Sequence, residues 1–115
     1  MSAREFVEWL GIIPNRHWLV IGDAELASVI RELALPSAVT ELPASQAEDL
    51  PFESGTFDVV VLAGEPSAAA VRELRRVLWP AGIGALFWPG SSDQLLRTVG
   101  MHAAQSCELG VRGTR

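Results

Sequence analysis

At 115 residues the chain has the length of one domain, since domains commonly run to about 100–150 residues. Hydrophobic residues make up 49% of it and charged residues 20%, and the mean hydropathy is +0.24, a composition that excludes disorder and can build a core. A net charge of −5 argues against nucleic acid as the principal partner, and no apolar run approaches the roughly 20 residues of a membrane span. Cys107 is the one cysteine, so neither an intrachain disulfide nor a cysteine metal cluster is available. Charges near the N-terminus do not suit a signal peptide, and the chain is expected to be soluble and cytoplasmic. All nine basic residues are arginine, which codon bias explains without reference to function.

Ser2 and Glu5 have the spacing of a capping box, and Phe6, Trp9, Leu10 and Ile13 follow on one helical face, closed by Gly11 and Pro14. Trp18 to Ile21 is a short continuous apolar run ending at Gly22, as a buried parallel strand requires. Asp23 then caps a helix whose inward stripe is Leu26, Val29, Ile30 and Leu33, while Glu25, Arg31 and Glu32 face water and Pro36 ends it. Ala38 to Leu42 is a strand, Pro43 to Gly55 a loop, and Phe57 to Leu62 a β-branched strand followed by Gly64. Pro66 opens a helix lined by Ala70, Leu74, Val77 and Leu78. Pro80-Ala81-Gly82 breaks the chain before a strand from Ile83 to Trp88. Ser91 and Gln94 repeat the capping-box spacing ahead of Leu95, Leu96 and Val99, with Gly100 as the stop, and Ala103 to Val111 forms a last strand. Strands separated by helical crossovers predict an α/β fold with a mainly parallel sheet flanked by helices.

Three blocks carry a family likeness: Ala47-Glu48-Asp49-Leu50-Pro51-Phe52, Phe57-Asp58-Val59-Val60, and Glu73-Leu74-Arg75-Arg76-Val77-Leu78-Trp79-Pro80-Ala81-Gly82. In this order and spacing they resemble the class I S-adenosylmethionine (SAM) methyltransferases, close to the type 11, ubiquinone-biosynthesis group. The resemblance implies a reduced Rossmann-like domain over residues 1–115. The first block corresponds to the loop that passes the adenine, the second to the fourth strand, and the third to the helix and turn leading into the fifth strand.

The family's cofactor motif is degenerate here. Its first strand ends in an acid before a glycine-rich turn, whereas Val20 occupies the acidic position and only Gly22 remains of the glycines. Asp23 and Glu25 are better read as an N-cap and a first-turn carboxylate than as ligands. Glu41 is the local candidate for the acid that holds the ribose, although Pro36 to Leu50 is too short for two strands with a helix between them, so one strand-helix unit is missing. Gln46 stands where the family has an acid beside the adenine. If SAM binding is retained, Gly22, Glu41, Gln46 and Ala47 are the cofactor positions. Glu65, in the loop after the fourth strand, is the one group able to act as a base, with charge at a helix N-terminus as its simpler role.

Other constellations carry little. His17, His102 and Cys107 lack the further ligands of a metal site and the convergence a nucleophile needs. Gly82-Ile83-Gly84 lacks the third glycine of a dinucleotide loop. Arg72, Arg75 and Arg76 read as a solvated helix flank balanced by Glu73. Trp9, Trp18, Trp79 and Trp88 adjoin core elements, and large aromatics there either fill the space of the missing unit or form a patch for a partner.

A retained scaffold without its cofactor loop predicts a non-catalytic domain with no cofactor, metal or catalytic residue, acting as a binding or assembly module. Its expected partner is a second copy or another protein, through an apolar surface, and neither nucleic acid nor membrane. The alternatives are a minimal SAM-dependent methyltransferase for a small molecule and a domain turned to another ligand in the same crevice.

Overall fold

Residues 1–11 and 15–115 are described by the computed structural model. Helix α1 (Ala3–Leu10) begins as its sequence requires: the Ser2 hydroxyl accepts from the Glu5 amide at 3.2 Å and the Glu5 carboxylate accepts from the Ser2 amide at 3.1 Å. Phe6, Val7 and Leu10 are buried, and Gly11 closes the helix at φ 101°. The expected contributions of Ile13 and Pro14 lie outside the described residues.

Strand β1 (His17–Ile21) sits between β2 (Ala38–Leu42) and β3 (Phe57–Ala63), parallel to both, with Val20 opposite Glu41 on one side and Val61 on the other. Its interior position explains the continuous apolar run, because both of its faces are covered. Strand β4 (Leu78–Phe87) runs parallel to β3, and β5 (His102–Cys107) and β6 (Gly110–Thr114) close the sheet antiparallel in the order β2-β1-β3-β4-β6-β5.

Helices cover both faces. On one, α1 and α2 (Ala24–Leu33) bury Phe6, Trp18, Leu26 and Ile30 against Val59, Val61 and Ala85. On the other, α3 (Ala68–Val77) and α4 (Asp93–Thr98) pack Leu74 and Leu96 onto Leu19, Val60 and Leu86. Full burial of one such side chain contributes about 1.5–3 kcal/mol. Between β2 and β3 the only regular structure is a 3-10 turn, Ala44–Gln46. This crossover still covers the sheet, because Ala47 and Leu50 are buried in the second cluster and Phe52 meets Phe57 edge-on at 4.9 Å. The short connection therefore leaves no bare face over β3.

Several expectations need correction. Pro80-Ala81-Gly82 does not separate a helix from a later strand; it is a bulge inside β4, where the pairing skips from Phe57–Leu78 to Val59–Ile83 and Ala81 has φ 68°. Arg115 ties the bulge down, accepting from the Ala81 amide and donating its own amide to Gly82, both at 3.0 Å. The tail is a hairpin of two strands rather than one. Ser92, not Ser91, caps α4, accepting from the Gln94 amide at 3.1 Å. Nor do the tryptophans form one patch. Trp18 is fully buried, Trp9 lies against Phe6 with Arg112 over its ring at 4.6 Å, and Trp79 and Trp88 stand exposed at opposite ends of β4. Among the described residues no helix is long and apolar enough to cross a membrane.

Candidate functional site

The carboxyl ends of β1 and β2 frame a crevice of about 430 Å³, lined by Gly22, Asp23, Ala24, Glu41, Pro43 and Ala44 among others. Gly22 follows β1 with φ 89° and is exposed, and its amide donates to the Leu42 carbonyl at 2.9 Å. A Cβ at this position would stand 3.0 Å from the Ala63 carbonyl oxygen and 3.4 Å from the Ala44 Cβ. Glycine is thus required both by the left-handed backbone and by the close approach of the last carbonyl of β3.

Asp23 caps α2, its carboxylate accepting from the Leu26 amide at 2.9 Å. This engages one of the amides that a helix N-terminus offers to an anion, and it puts a negative charge beside the others. Val20 is buried under α2 and brings no polar atom.

Glu41 is the penultimate residue of β2. One carboxylate oxygen, Oε1, is paired with Arg31 of α2, which also donates to the Val39 carbonyl at 3.3 Å. Among the described residues Oε2 has no hydrogen-bond partner, so Arg31 steadies the carboxylate and leaves an acceptor at the crevice. Arg31 faces water, as its place on α2 predicts, and its pairing with Glu41 carries no signal in the sequence, because it depends on β2 lying beside α2.

Of the remaining cofactor candidates, Gln46 is exposed on the 3-10 turn outside the crevice lining, and Ala47 is buried, 6% exposed, in the apolar cluster. Glu65 is exposed beyond β3 with no ion pair or hydrogen bond among the described residues. Gly82 and Gly84 serve packing inside β4: a Cβ on Gly82 would meet the Asp58 and Trp79 carbonyl oxygens at 2.9 Å, and one on Gly84 would meet Leu74 Cδ2 at 2.5 Å. His17 begins β1, away from the crevice, and no group of three His, Cys, Asp or Glu among the described residues could hold a metal ion.

The loop after the turn is held by α3. The Arg76 guanidinium donates from Nη1 to the Phe52 carbonyl at 2.8 Å and from Nη2 to the Leu50 carbonyl at 3.0 Å. Glu73 accepts from the Leu50 amide at 2.8 Å. The hydrogen bond from Arg76 holds the Glu73 carboxyl below its ordinary value, and Glu73 in turn raises Arg76. Arg76 is therefore no solvated flank residue; the i, i+3 spacing to Glu73 was the available signal. Ser67, the N-cap of α3, adds a second tie by donating to Glu48 at 2.9 Å.

A profile of the methyltransferase domain, type 11, matches residues 22–86 of the chain. Comparison with curated protein sequences returns no match. Among solved structures, a SAM-dependent methyltransferase from Aquifex aeolicus superposes with a TM-score of 0.71 at 13% identity, over 98% of this chain and 87% of that one. A SAM-dependent methyltransferase from Thermotoga maritima gives 0.60 at 14% identity, over 98% and 87%. The antibiotic-resistance methyltransferase Kmr gives 0.64 at 11% identity, over 99% and 92%. At these identities the structural likeness speaks for the fold, and the profile match covers more than half of the sequence. The chain belongs to the type 11 methyltransferase domain family and has the SAM-dependent methyltransferase fold.

Proposed function

We propose that this chain binds SAM in the crevice at the carboxyl ends of β1 and β2 and transfers its methyl group to a small molecule. The observation that carries the reading is Glu41, which lines the crevice together with Gly22 and has Oε1 held by Arg31, while Oε2 has no hydrogen-bond partner among the described residues. A fixed carboxylate oxygen suits a ribose diol, which needs an acceptor it need not first orient. Gly22 lets the ligand approach the backbone closely. Charge agrees: SAM bears a sulfonium and an ammonium against one carboxylate, and the crevice carries Asp23 and Glu41 against Arg31 alone.

When bound, SAM supplies an electrophilic methyl group. The chain's own residues would bind and orient: Glu41 the ribose, Asp23 the ammonium, and Gly22 the passage between them. An acceptor that is already nucleophilic needs proximity more than proton removal. Glu65, at the same end of the sheet, is the residue on which a base role would fall.

A second reading, a non-catalytic binding or assembly module, is favoured by one observation. Asp23 occupies the start of α2 with its own carboxylate, and Val20 brings no acid to the end of β1. Calorimetric titration with SAM and S-adenosylhomocysteine decides between the two. Saturable micromolar binding that weakens in Glu41→Ala supports the enzyme. No heat at millimolar ligand, together with a light-scattering mass above the 12.4 kDa of one chain, supports the module.

A further inference from the structure

On the sheet face opposite α1 and α2, helices α3 and α4 leave a cavity of about 610 Å³ between them. It shares no lining residue with the crevice of β1 and β2. Val71, Leu95 and Val99 supply apolar lining, and four of the nine arginines, Arg72, Arg75, Arg76 and Arg115, border it. No aspartate or glutamate is among its lining residues. In a chain of net charge −5 this is a local concentration of positive charge.

The four guanidinium groups are not equally engaged. Arg76 is fully used on Glu73, Leu50 and Phe52. Arg115 directs Nη1 to the carbonyls of Arg76 and Leu78. Arg72 and Arg75 form no ion pair among the described residues, and Arg75 Nε is buried without a hydrogen-bond partner. Of the acids close by, Glu73 is bound to Arg76, and Glu48 and Asp49 line a separate notch that Arg72 and Arg76 also border. A buried guanidinium N–H without an acceptor is unfavourable, and the planar fork of the partly exposed Arg75 matches carboxylate or phosphate oxygens.

We propose that this cavity binds a small amphipathic anion, a carboxylate or phosphate head on an apolar body. The head sits among Arg72, Arg75 and Arg115, and the body lies against Val71, Leu95 and Val99. The size agrees, since pockets for such ligands run to about 300–1,000 Å³. A recess of this volume takes one soluble molecule rather than a flat surface.

Octyl phosphate is the probe, titrated calorimetrically into the full chain. One saturable site is expected, with octanol and inorganic phosphate each binding more weakly than the combined molecule. Arg75→Gln and, separately, Arg72→Gln should each weaken octyl phosphate by about tenfold, the loss of one charged hydrogen bond, while SAM binding stays unchanged. Arg72 is exposed, so its variant reads the site even if the Arg75 variant fails to fold. Undiminished binding in a folded Arg72→Gln protein would overturn the proposal. So would the absence of a saturable site, or binding to phosphatidic acid vesicles without binding of the soluble probe.

Discussion

Glu73 and Arg76, three residues apart on α3, share two parallel hydrogen bonds, Nε to Oε2 at 2.6 Å and Nη2 to Oε1 at 3.0 Å. The same two side chains bond the backbone of Leu50 and Phe52. The blocks Ala47–Phe52 and Glu73–Gly82, separate in sequence, are therefore one hydrogen-bonded unit. The loop that replaces a helical crossover has few backbone partners of its own, and α3 provides them. Leu50 and Ala47 can then be buried without leaving unpaired amides behind.

Removing one partner tests this unit. Arg76→Met strips the Leu50 and Phe52 carbonyls of their donor and leaves Glu73 partly buried and unpaired. Charge-assisted bonds of this kind are worth about 1.5–3 kcal/mol. Because Arg76 is 35% exposed, solvent screens part of that and a loss of about 2 kcal/mol is expected. Urea unfolding measures it. A midpoint unchanged from wild type would mean that the loop is held by Leu50 and Phe52 packing alone.

The pair also sets a pH dependence. In the folded chain the Arg76 hydrogen bond, aided by the Leu50 amide and opposed by burial, keeps the Glu73 carboxyl below its ordinary 4.5. Between 4.5 and that lower value the unfolded chain binds a proton that the folded chain does not, so stability rises with pH across this window. The contribution is fully present above 4.5, declines as the pH falls through the folded value, and is absent below it. Wild type should exceed Glu73→Gln in stability near neutral pH and converge on it as the pH falls below the lowered folded value. A constant gap over that range would assign the difference to shape instead of charge.

How much of this was legible follows the range of each interaction. Ser2, Asp23 and Phe57 to Leu62 signal their elements locally, through a cap or a buried β-branched run, and the structure agrees, as it does for the strand at Ala38 to Leu42, which has no buried residue. The bulge at Pro80 to Gly82 has turn chemistry, yet the strand continues around it because Arg115, distant in sequence, pairs with Ala81 and Gly82. Strand β5 is an edge strand of mostly exposed small and polar residues, so no alternation marked it off from β6. At the candidate site Gly22 and Glu41 were legible as residues. Arg31 as the partner of Glu41 was not, because that contact depends on which strands lie side by side. The arginine-lined cavity between α3 and α4 is of the same kind: it needs Arg115 of the C-terminal strand's end brought beside Arg75.

Two glycines separate a backbone clash from a side-chain one. A Cβ on Gly110 would fall 1.8 Å from the Leu86 carbonyl oxygen, which is fixed in β4. One on Gly84 would meet the flexible ends of Leu74 at 2.5 Å and Met101 at 2.9 Å. Overpacking ordinarily costs about 1–3 kcal/mol. Gly110→Ala is expected at or above the top of that range and Gly84→Ala near the bottom, read as urea midpoints at unchanged m. Equal destabilisation would mean that Leu74 and Met101 have no room to yield.

The crevice reading turns on what Glu41 does, and a pair of ligands distinguishes the possibilities. Its bond to Arg31 lies at the surface, with side chains 45% and 35% exposed, so Glu41→Gln should alter stability by less than about 1 kcal/mol. The amide keeps an acceptor and loses the charge. If Oε2 accepts from the ribose, which SAM and S-adenosylhomocysteine share, the variant weakens both ligands by a similar factor, about tenfold for a charged hydrogen bond. If Glu41 acts mainly through its field on the sulfonium, SAM alone weakens, and raising the salt concentration mimics the mutation in wild type. Calorimetry with both ligands at two ionic strengths reads the difference. Affinities unchanged for both would remove Glu41 from the site, and with it the observation on which the enzyme reading stands.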